Sequence, residues 1–392
     1  MEDLIQKAAK VLMHTYNSIP ISLVSGKGCY VRDSKGKEYL DFIAGIAVSA
    51  LGYNHPAFNT TLKEQLDRII HYSNLFYNEK QIELADKLVS NSHFDKAFFC
   101  NSGTEAVEAA LKLAKKIGKT KKNGAWKIIA MNQSFHGRTS GALSLTGQKK
   151  YQDFFLPLLP GVSFVDFNDF DDLKQKADSE TCAVIIEPVQ GEGGIHPADI
   201  EYLKKVRNLC TEENITLIFD EVQSGIGRTG FLFAHEYFNV FPDIVCLAKG
   251  LGGGLPIGAI LSTDKFDQFE PGDHAATFGG NPLVCTGANI VLTELLDNNL
   301  LKHTKKVGKY LKNKLLDLQS KSTAIKDVRG IGLMMGIELN CNSSDIISSC
   351  REKGLLLVGA GSTVIRFVPP LVITEQEIDK AIDILESAIK KD

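Results

Sequence analysis

No stretch of this 392-residue chain approaches the ~18 consecutive apolar residues of a membrane-spanning helix, so a membrane role is not expected. An excess of one charge is also lacking. The 44 basic and 47 acidic side chains leave a net charge of -3, which gives no electrostatic footprint for nucleic acid or an anionic membrane. The opening "MEDLIQKAAKVLMHTY" has an early acidic pair and no long apolar centre, so it does not read as a secretory leader. No C-x-x-C occurs among Cys29, Cys100, Cys182, Cys210, Cys246, Cys285, Cys341 and Cys350, and the nine histidines show no zinc spacing. The expectation is buried, reduced thiols in a cytoplasmic protein with no metal. Low-complexity segments, internal repeats and Pro/Gly-rich linkers are missing too, so any domains should pack together.

What is present is ordinary for a soluble globular protein: 44% hydrophobic and 23% charged residues, in a chain long enough for one large domain and a smaller one. A helix-like opening, residues 2–15, leads to "GCYVRDSKGKEYLDF", whose alternation around Ser34–Gly36 predicts a β-hairpin. From about residue 95 the apolar runs "KAFFC", "WKIIAM", "VSFVDF", "CAVIIEP", "ITLIFDE" and "DIVCLAKG" alternate with amphipathic segments such as "TEAVEAALKLAKKIG". That alternation predicts a mostly parallel sheet covered by helices on both faces. After residue 283 a long helical stretch and "VIRFVPPLVITEQEIDKAIDILESAI" predict a small α+β unit, joined by the N-terminal hairpin.

Ligands of open α/β sheets bind beyond the carboxyl ends of the strands, which places Asn101–Thr104, Glu187, Asp220 and Lys249 at a common rim. In "CNSGTEAVEAA", Ser102 or Thr104 would cap a helix whose free N–H groups, beside Gly103, suit a phosphate; a capped helix with nothing bound reads equally well. The burst of glycines in "CLAKGLGGGLPIGA" is not a P-loop, because Lys249 precedes the glycines instead of following them. "GIGRTG" (Gly225–Gly230) matches the dinucleotide pattern G-x-G-x-x-G, but it lies deep in the chain and apart from its strand. A nicotinamide-dependent oxidoreductase, or a non-catalytic protein on the same fold, are the competing readings. "SFHGRT" supplies Phe135 and His136 as stacking rings and Arg138 as a carboxylate fork. Arg366 stands in an apolar strand, where an unpaired guanidinium would be costly, so it should meet a carboxylate.

A helix-terminus phosphate site, a strand-end acid and a strand-end lysine together fit pyridoxal 5'-phosphate, which needs an anion cradle, a partner for its ring nitrogen and an amine for its aldehyde. "NSGTEA", "SFHGRT", "IIEPVQGEGG", "FDEVQSGIGRTG", "LAKGLGGGLPIGA" and "TFGGNPL" follow one another in an order that resembles the class III aminotransferases of PLP fold type I, over nearly the whole chain. The resemblance implies an α/β fold: a large domain with a mostly parallel seven-stranded sheet between helices, at 51–285, and a small α+β domain from 1–50 and 286–392. It implies that Lys249 forms the Schiff base and that Asp220 pairs with the pyridinium nitrogen. Gln223 would lie near the phenolic oxygen, Phe135 on the ring, Glu187 in the cofactor site, and Ser102, Gly103 and Thr104 on the phosphate. Thr277 would reach the phosphate of a second subunit's cofactor, which implies a homodimer with shared sites. Arg138 and Arg366 would bind substrate carboxylates, with Glu192 covering Arg366 while an ω-amino substrate is bound, and "GIGRTG" would form turns at the dimer and active-site surface. The implied reaction passes the ω-amino group of N2-acetylornithine to 2-oxoglutarate. Ornithine, succinylornithine, succinyldiaminopimelate and 4-aminobutyrate are the alternative donors. Ile46, where ornithine-specific relatives tend to carry tyrosine, suits the acylated donor.

Overall fold

The computed structural model describes residues 2–389. Its centre is a seven-stranded sheet in the spatial order Lys96–Cys100, Gly258–Ser262, Ile244–Leu247, Thr216–Asp220, Thr181–Ile186, Lys127–Met131, Val162–Val165. The last five strands of that order run parallel. Gly258–Ser262 runs antiparallel to both of its neighbours. Six of these strands are the apolar runs marked in the sequence; the seventh, "GAILS", follows directly on the glycine-rich stretch.

Two-residue alternation assigns each strand side chain to one of two helical layers. Ile185 and Ile218 face the Gly103–Lys121 helix, packing with Ala106, Ala110 and Leu113. Val184, Ile186, Leu217 and Phe219 face the opposite way, onto Leu203 and Val206 of the Ile200–Glu212 helix. Both strands are buried along their whole length, which explains their unbroken Val/Ile/Leu/Phe character. Phe219 is fully buried, and removing its ring would cost about 3–5 kcal/mol.

The hairpin expected at Ser34–Gly36 pairs Tyr30–Asp33 with Glu38–Asp41, and its turn is closed by Asp33 Oδ1, which accepts the N–H groups of Lys35 and Lys37 at 2.9 Å each. Leu355–Leu356 then adds in parallel to Glu38–Asp41, so segments from the two ends of the chain share one sheet. A second four-stranded sheet carries Arg366 on Val364–Phe367, beside Met334–Leu339. The opening helix is shorter than its pattern suggests, Glu2–Val11. All eight cysteines are free thiols and, Cys341 excepted, buried.

"GIGRTG" forms turns, as expected, and these are packed inward within the chain: Ile226, Arg228 and Thr229 are buried in an internal seam. Arg228 Nη1 donates to the carbonyls of Leu333 (3.1 Å) and Pro369 (2.5 Å). A Cβ on Gly227 would strike Leu295 and Leu371, so the glycine is needed for close packing and for its φ of +84°. The arginine ties the large sheet to the C-terminal segments, and that hydrogen-bonding role is what the motif's spacing concealed.

Candidate active site

The parallel strands end at one rim, and the residues that follow them enclose a cavity of about 430 Å³. Its walls hold Ser102, Gly103, Thr104, Phe135, Arg138, Glu187, Asp220, Gln223 and Lys249. Ile46, Glu192, Thr277 and Arg366 are not among the lining residues.

The cradle begins at Cys100, where the first strand stops and Ser102 turns extended (φ -156°, ψ 163°) to cap a 19-residue helix. Ser102 Oγ accepts the N–H of Glu105 at 3.3 Å, while Glu105 Oε2 reaches back to the Asn101 N–H at 2.6 Å. This near capping box leaves the amides of Gly103 and Thr104 without an acceptor among the described residues, at the positive end of a long helix dipole. Gly103 cannot be larger, because a Cβ there would lie 2.6 Å from Val222. Thr104 Oγ1 meets Thr139 Oγ1 at 2.8 Å and so joins the cradle to the loop that carries Arg138.

Asp220 is the last residue of its strand and is buried. Its Oδ2 lies 2.7 Å from His136 Nδ1, and its Oδ1 accepts the Val222 N–H at 3.0 Å. His136 is thus held edge-on by the acid and does not lie free as a stacking ring; its backbone N–H is fixed by Thr146 Oγ1 at 2.9 Å. The sequence did not reveal this pairing, since 84 residues separate the two groups. Glu187 accepts the N–H of Phe135 (2.9 Å) and of Gly191 (3.2 Å), pinning the ring in the wall. Burial pushes the Glu187 carboxyl up; His136 opposes that rise, and the Asp220 charge adds to it.

Lys249 stands two residues beyond the Ile244–Leu247 strand with φ +40°, a left-handed conformation uncommon outside glycine. Its Nζ makes no hydrogen bond to the chain among the described residues. Desolvation pulls its pKa down to about 8, with Glu192 working against the fall and Arg366 adding to it. Arg366, fully buried, meets the expected carboxylate: its Nη1 lies 2.5 Å from Glu192 Oε1 and donates to Gln223 Oε1 at 3.1 Å. Its Nε is buried and has no hydrogen-bond partner among the described residues. Arg138 is exposed and stacks over Tyr151, 4.1 Å from the ring centroid, and more loosely over Phe135 at 5.6 Å.

Ile46 lies in a run of four left-handed residues, Ala44–Ala47, which delivers Val48 to the cavity wall. Thr277 is exposed and away from this chain's own cavity. Val48 and Gly254–Ile257 also line the cavity; Gly254–Ile257 belong to the glycine-rich stretch after Lys249, whereas nothing in the sequence marked Val48.

Free amides at a helix start, a buried anchored carboxylate and an unpaired amine of lowered pKa form a site for a flat phosphate-bearing aldehyde. Pyridoxal 5'-phosphate fits: Ser102, Gly103 and Thr104 would hold its phosphate, Asp220 its ring nitrogen and Lys249 its aldehyde carbon. Residues 11–389 match the family Aminotransferase class-III. The chain is 51% identical over 386 residues to the acetylornithine aminotransferase of Clostridium acetobutylicum, covering 97% of this chain and 99% of that one. It is 48% identical to the acetylornithine aminotransferase of Methanocaldococcus jannaschii, covering 98% and 97%. Among solved structures, the ornithine aminotransferase of Toxoplasma gondii superposes with a TM-score of 0.96 at 33% identity, covering 100% of this chain and 94% of that one. The acetylornithine aminotransferase of Elizabethkingia anophelis does so at 0.89 and 34%, covering 100% and 99%. Fold and site therefore define an aminotransferase. The chain belongs to the class-III aminotransferases.

Proposed function

We propose that this enzyme, using pyridoxal 5'-phosphate, passes the ω-amino group of N2-acetylornithine to 2-oxoglutarate, giving N-acetylglutamate 5-semialdehyde and glutamate, a step of arginine biosynthesis. The observation that carries the chemistry is the convergence of Lys249 and Asp220 on one cavity beside the Arg366–Glu192 pair. The donor is supported by relatives of 45–51% identity that bear the acetylornithine aminotransferase name.

When bound, the cofactor supplies an electron sink conjugated to the substrate's amine-bearing carbon. Lys249 Nζ takes the proton from that carbon and delivers it to the cofactor's side, a transfer for which a pKa near neutrality is suited. Asp220, oriented by His136 and the Val222 N–H, supplies the negative charge that keeps the ring nitrogen protonated. Arg138 holds the donor's α-carboxylate. Glu192 neutralises Arg366 while the donor, which has no second carboxylate, is bound. It swings aside when 2-oxoglutarate arrives with two. The exchange keeps a buried guanidinium paired in both half-reactions, since losing one partner of a buried pair costs about 3–5 kcal/mol. Two copies form a homodimer in which Thr277 of each chain serves the other's phosphate; its exposure here supports that placement. No helix among the described residues is long and apolar enough to cross a membrane, and we place the enzyme in the cytoplasm.

The test is kcat/KM for N2-acetylornithine, ornithine, N2-succinylornithine, succinyldiaminopimelate and 4-aminobutyrate with 2-oxoglutarate as acceptor. N2-acetylornithine is expected to lead. Preference for ornithine or 4-aminobutyrate would overturn the donor assignment and leave the aminotransferase chemistry standing.

A further inference from the structure

The two strands that deliver Asp220 and Lys249 to the active-site rim start, at their other ends, on a separate cavity of about 410 Å³. Ile215 directly precedes Thr216–Asp220, Asp243 directly precedes Ile244–Leu247, and both residues line it. A five-residue strand spans roughly 15 Å, so an occupant of this cavity does not touch the reacting groups. We infer that the cavity is a binding site for a small organic dianion of the phosphate-monoester type that carries a flat apolar body. The inference stands apart from the donor reading above.

Floor and rim of this cavity differ in character. Ile117, Cys210, Ile215 and Phe266 give it a buried apolar floor. Cys210 belongs to that floor as a neutral thiol, because burial pushes its pKa up to about 12. The more exposed part of the lining is cationic: Lys121, Lys122, Arg207 and Lys265. Asp243 is the one carboxylate in the lining and is already engaged, 3.0 Å from Arg207 Nη1 and accepting the Leu217 N–H at 2.8 Å. Lys122 is partly engaged as well: its Nζ donates to the Thr181 carbonyl at 2.9 Å, and Glu213 lies near it outside the lining. Lys121 and Lys265 form no ion pair among the described residues, and Lys265 Nζ stands 5.0 Å from the Phe266 ring centroid. Four cations around one committed acid repel one another, in a chain whose net charge is -3, and a doubly charged anion at the rim relieves that repulsion. The floor requires a body without polar groups, and the rings of Phe241 and Phe266 favour a flat one. The volume lies within the ~300–1,000 Å³ that small-molecule sites span.

The experiment titrates the holoenzyme in a calorimeter with 1-naphthyl phosphate, neutral 1-naphthol and inorganic phosphate. 1-Naphthyl phosphate should bind with one site per chain and about tenfold or more tighter than either fragment, because it alone fills both floor and rim. Saturating 2-oxoglutarate should leave that affinity unchanged. Lys121 and Lys265 are exposed, so the double variant Lys121→Glu, Lys265→Glu leaves the core alone and should weaken 1-naphthyl phosphate about tenfold or more. Phe241, also exposed, supplies apolar wall: Phe241→Ala should weaken 1-naphthyl phosphate about threefold to tenfold and leave inorganic phosphate as it was. Equal affinity for 1-naphthol would reduce the site to an apolar hollow, and equal affinity for inorganic phosphate would reduce it to a basic surface. Displacement by 2-oxoglutarate would put the probe in the cofactor cavity. Each of these results overturns the inference, as does binding unmoved by the charge reversal, and none of them touches the donor reading.

Discussion

At Lys249 several opposing fields meet on one amine. Burial lowers its pKa to about 8, and Arg366 pushes the same way, while Glu192, Asp220 and Glu187 pull it back up. Below that value Nζ is protonated; above it the neutral amine dominates, so the apoenzyme's lysine should react with an aldehyde or an acylating reagent along a curve centred near 8. A centre near the ordinary lysine value of 10.5 would show the cavity to be wetter than the structure indicates. Lys249→Ala should remove the cofactor's lysine-dependent visible absorbance and cut turnover by at least about 10²–10⁴-fold, the usual contribution of a positioned acid–base group. Glu192→Gln acts on two charges at once. It withdraws the carboxylate that does most to hold the Lys249 pKa up, and it strips Arg366 of its counter-ion. The variant should lower the thermal midpoint and raise the KM of the amine donor more than that of 2-oxoglutarate, since only the dicarboxylate brings its own partner for Arg366. Equal changes in both KM values would remove the exchange from the mechanism.

Elements are where sequence and structure agree best and also where they part. The six marked strands were legible because each reads as a continuous apolar run; Thr181–Ile186, Thr216–Asp220 and Ile244–Leu247 are buried on both faces, while Lys96–Cys100 and Val162–Val165, at the sheet edges, are only half-covered. "GAILS" was hidden by its position: it is short, begins with glycine and follows a glycine-rich stretch that reads as loop. Strand-end residues were legible because the parallel fold dictates their location, so Ser102, Asp220 and Lys249 could be placed before any geometry was known. His136 against Asp220, Val48 and the buried Arg228 were not, because each depends on packing between segments distant in sequence. The loop of residues 133–138 shows how tightly such contacts constrain an element. Gly137 has φ +138°, and a Cβ there would lie 2.2 Å from Thr104 Oγ1. Gly137→Ala should push the loop off the Thr104–Thr139 hydroxyl pair, weaken cofactor retention in dialysis and raise donor KM through Arg138. Unchanged retention with a raised donor KM would show that the loop and the phosphate cradle move independently.

At the scale of the whole molecule the cradle, the acid and the lysine all come from one chain, yet Thr277 does not line that chain's own cavity. It is exposed beside Phe278, itself 61% exposed. If Thr277 completes the neighbouring subunit's phosphate site, the catalytic unit is the pair of chains, and two defective variants can repair each other. A chain carrying Lys249→Ala still offers a sound Thr277, and a chain carrying Thr277→Ala still offers a sound Lys249. Refolding the two together yields mixed dimers as about half of the population, each with one site made wholly of intact residues, so activity should recover to about a quarter of the wild-type value. If Thr277 instead served its own chain, every site in the mixture would carry one lesion. The mixture would then be no more active than the average of the two variants alone. Measuring that recovery against the mixing ratio separates a shared site from a self-contained one, because only a shared site gives a maximum at equal proportions.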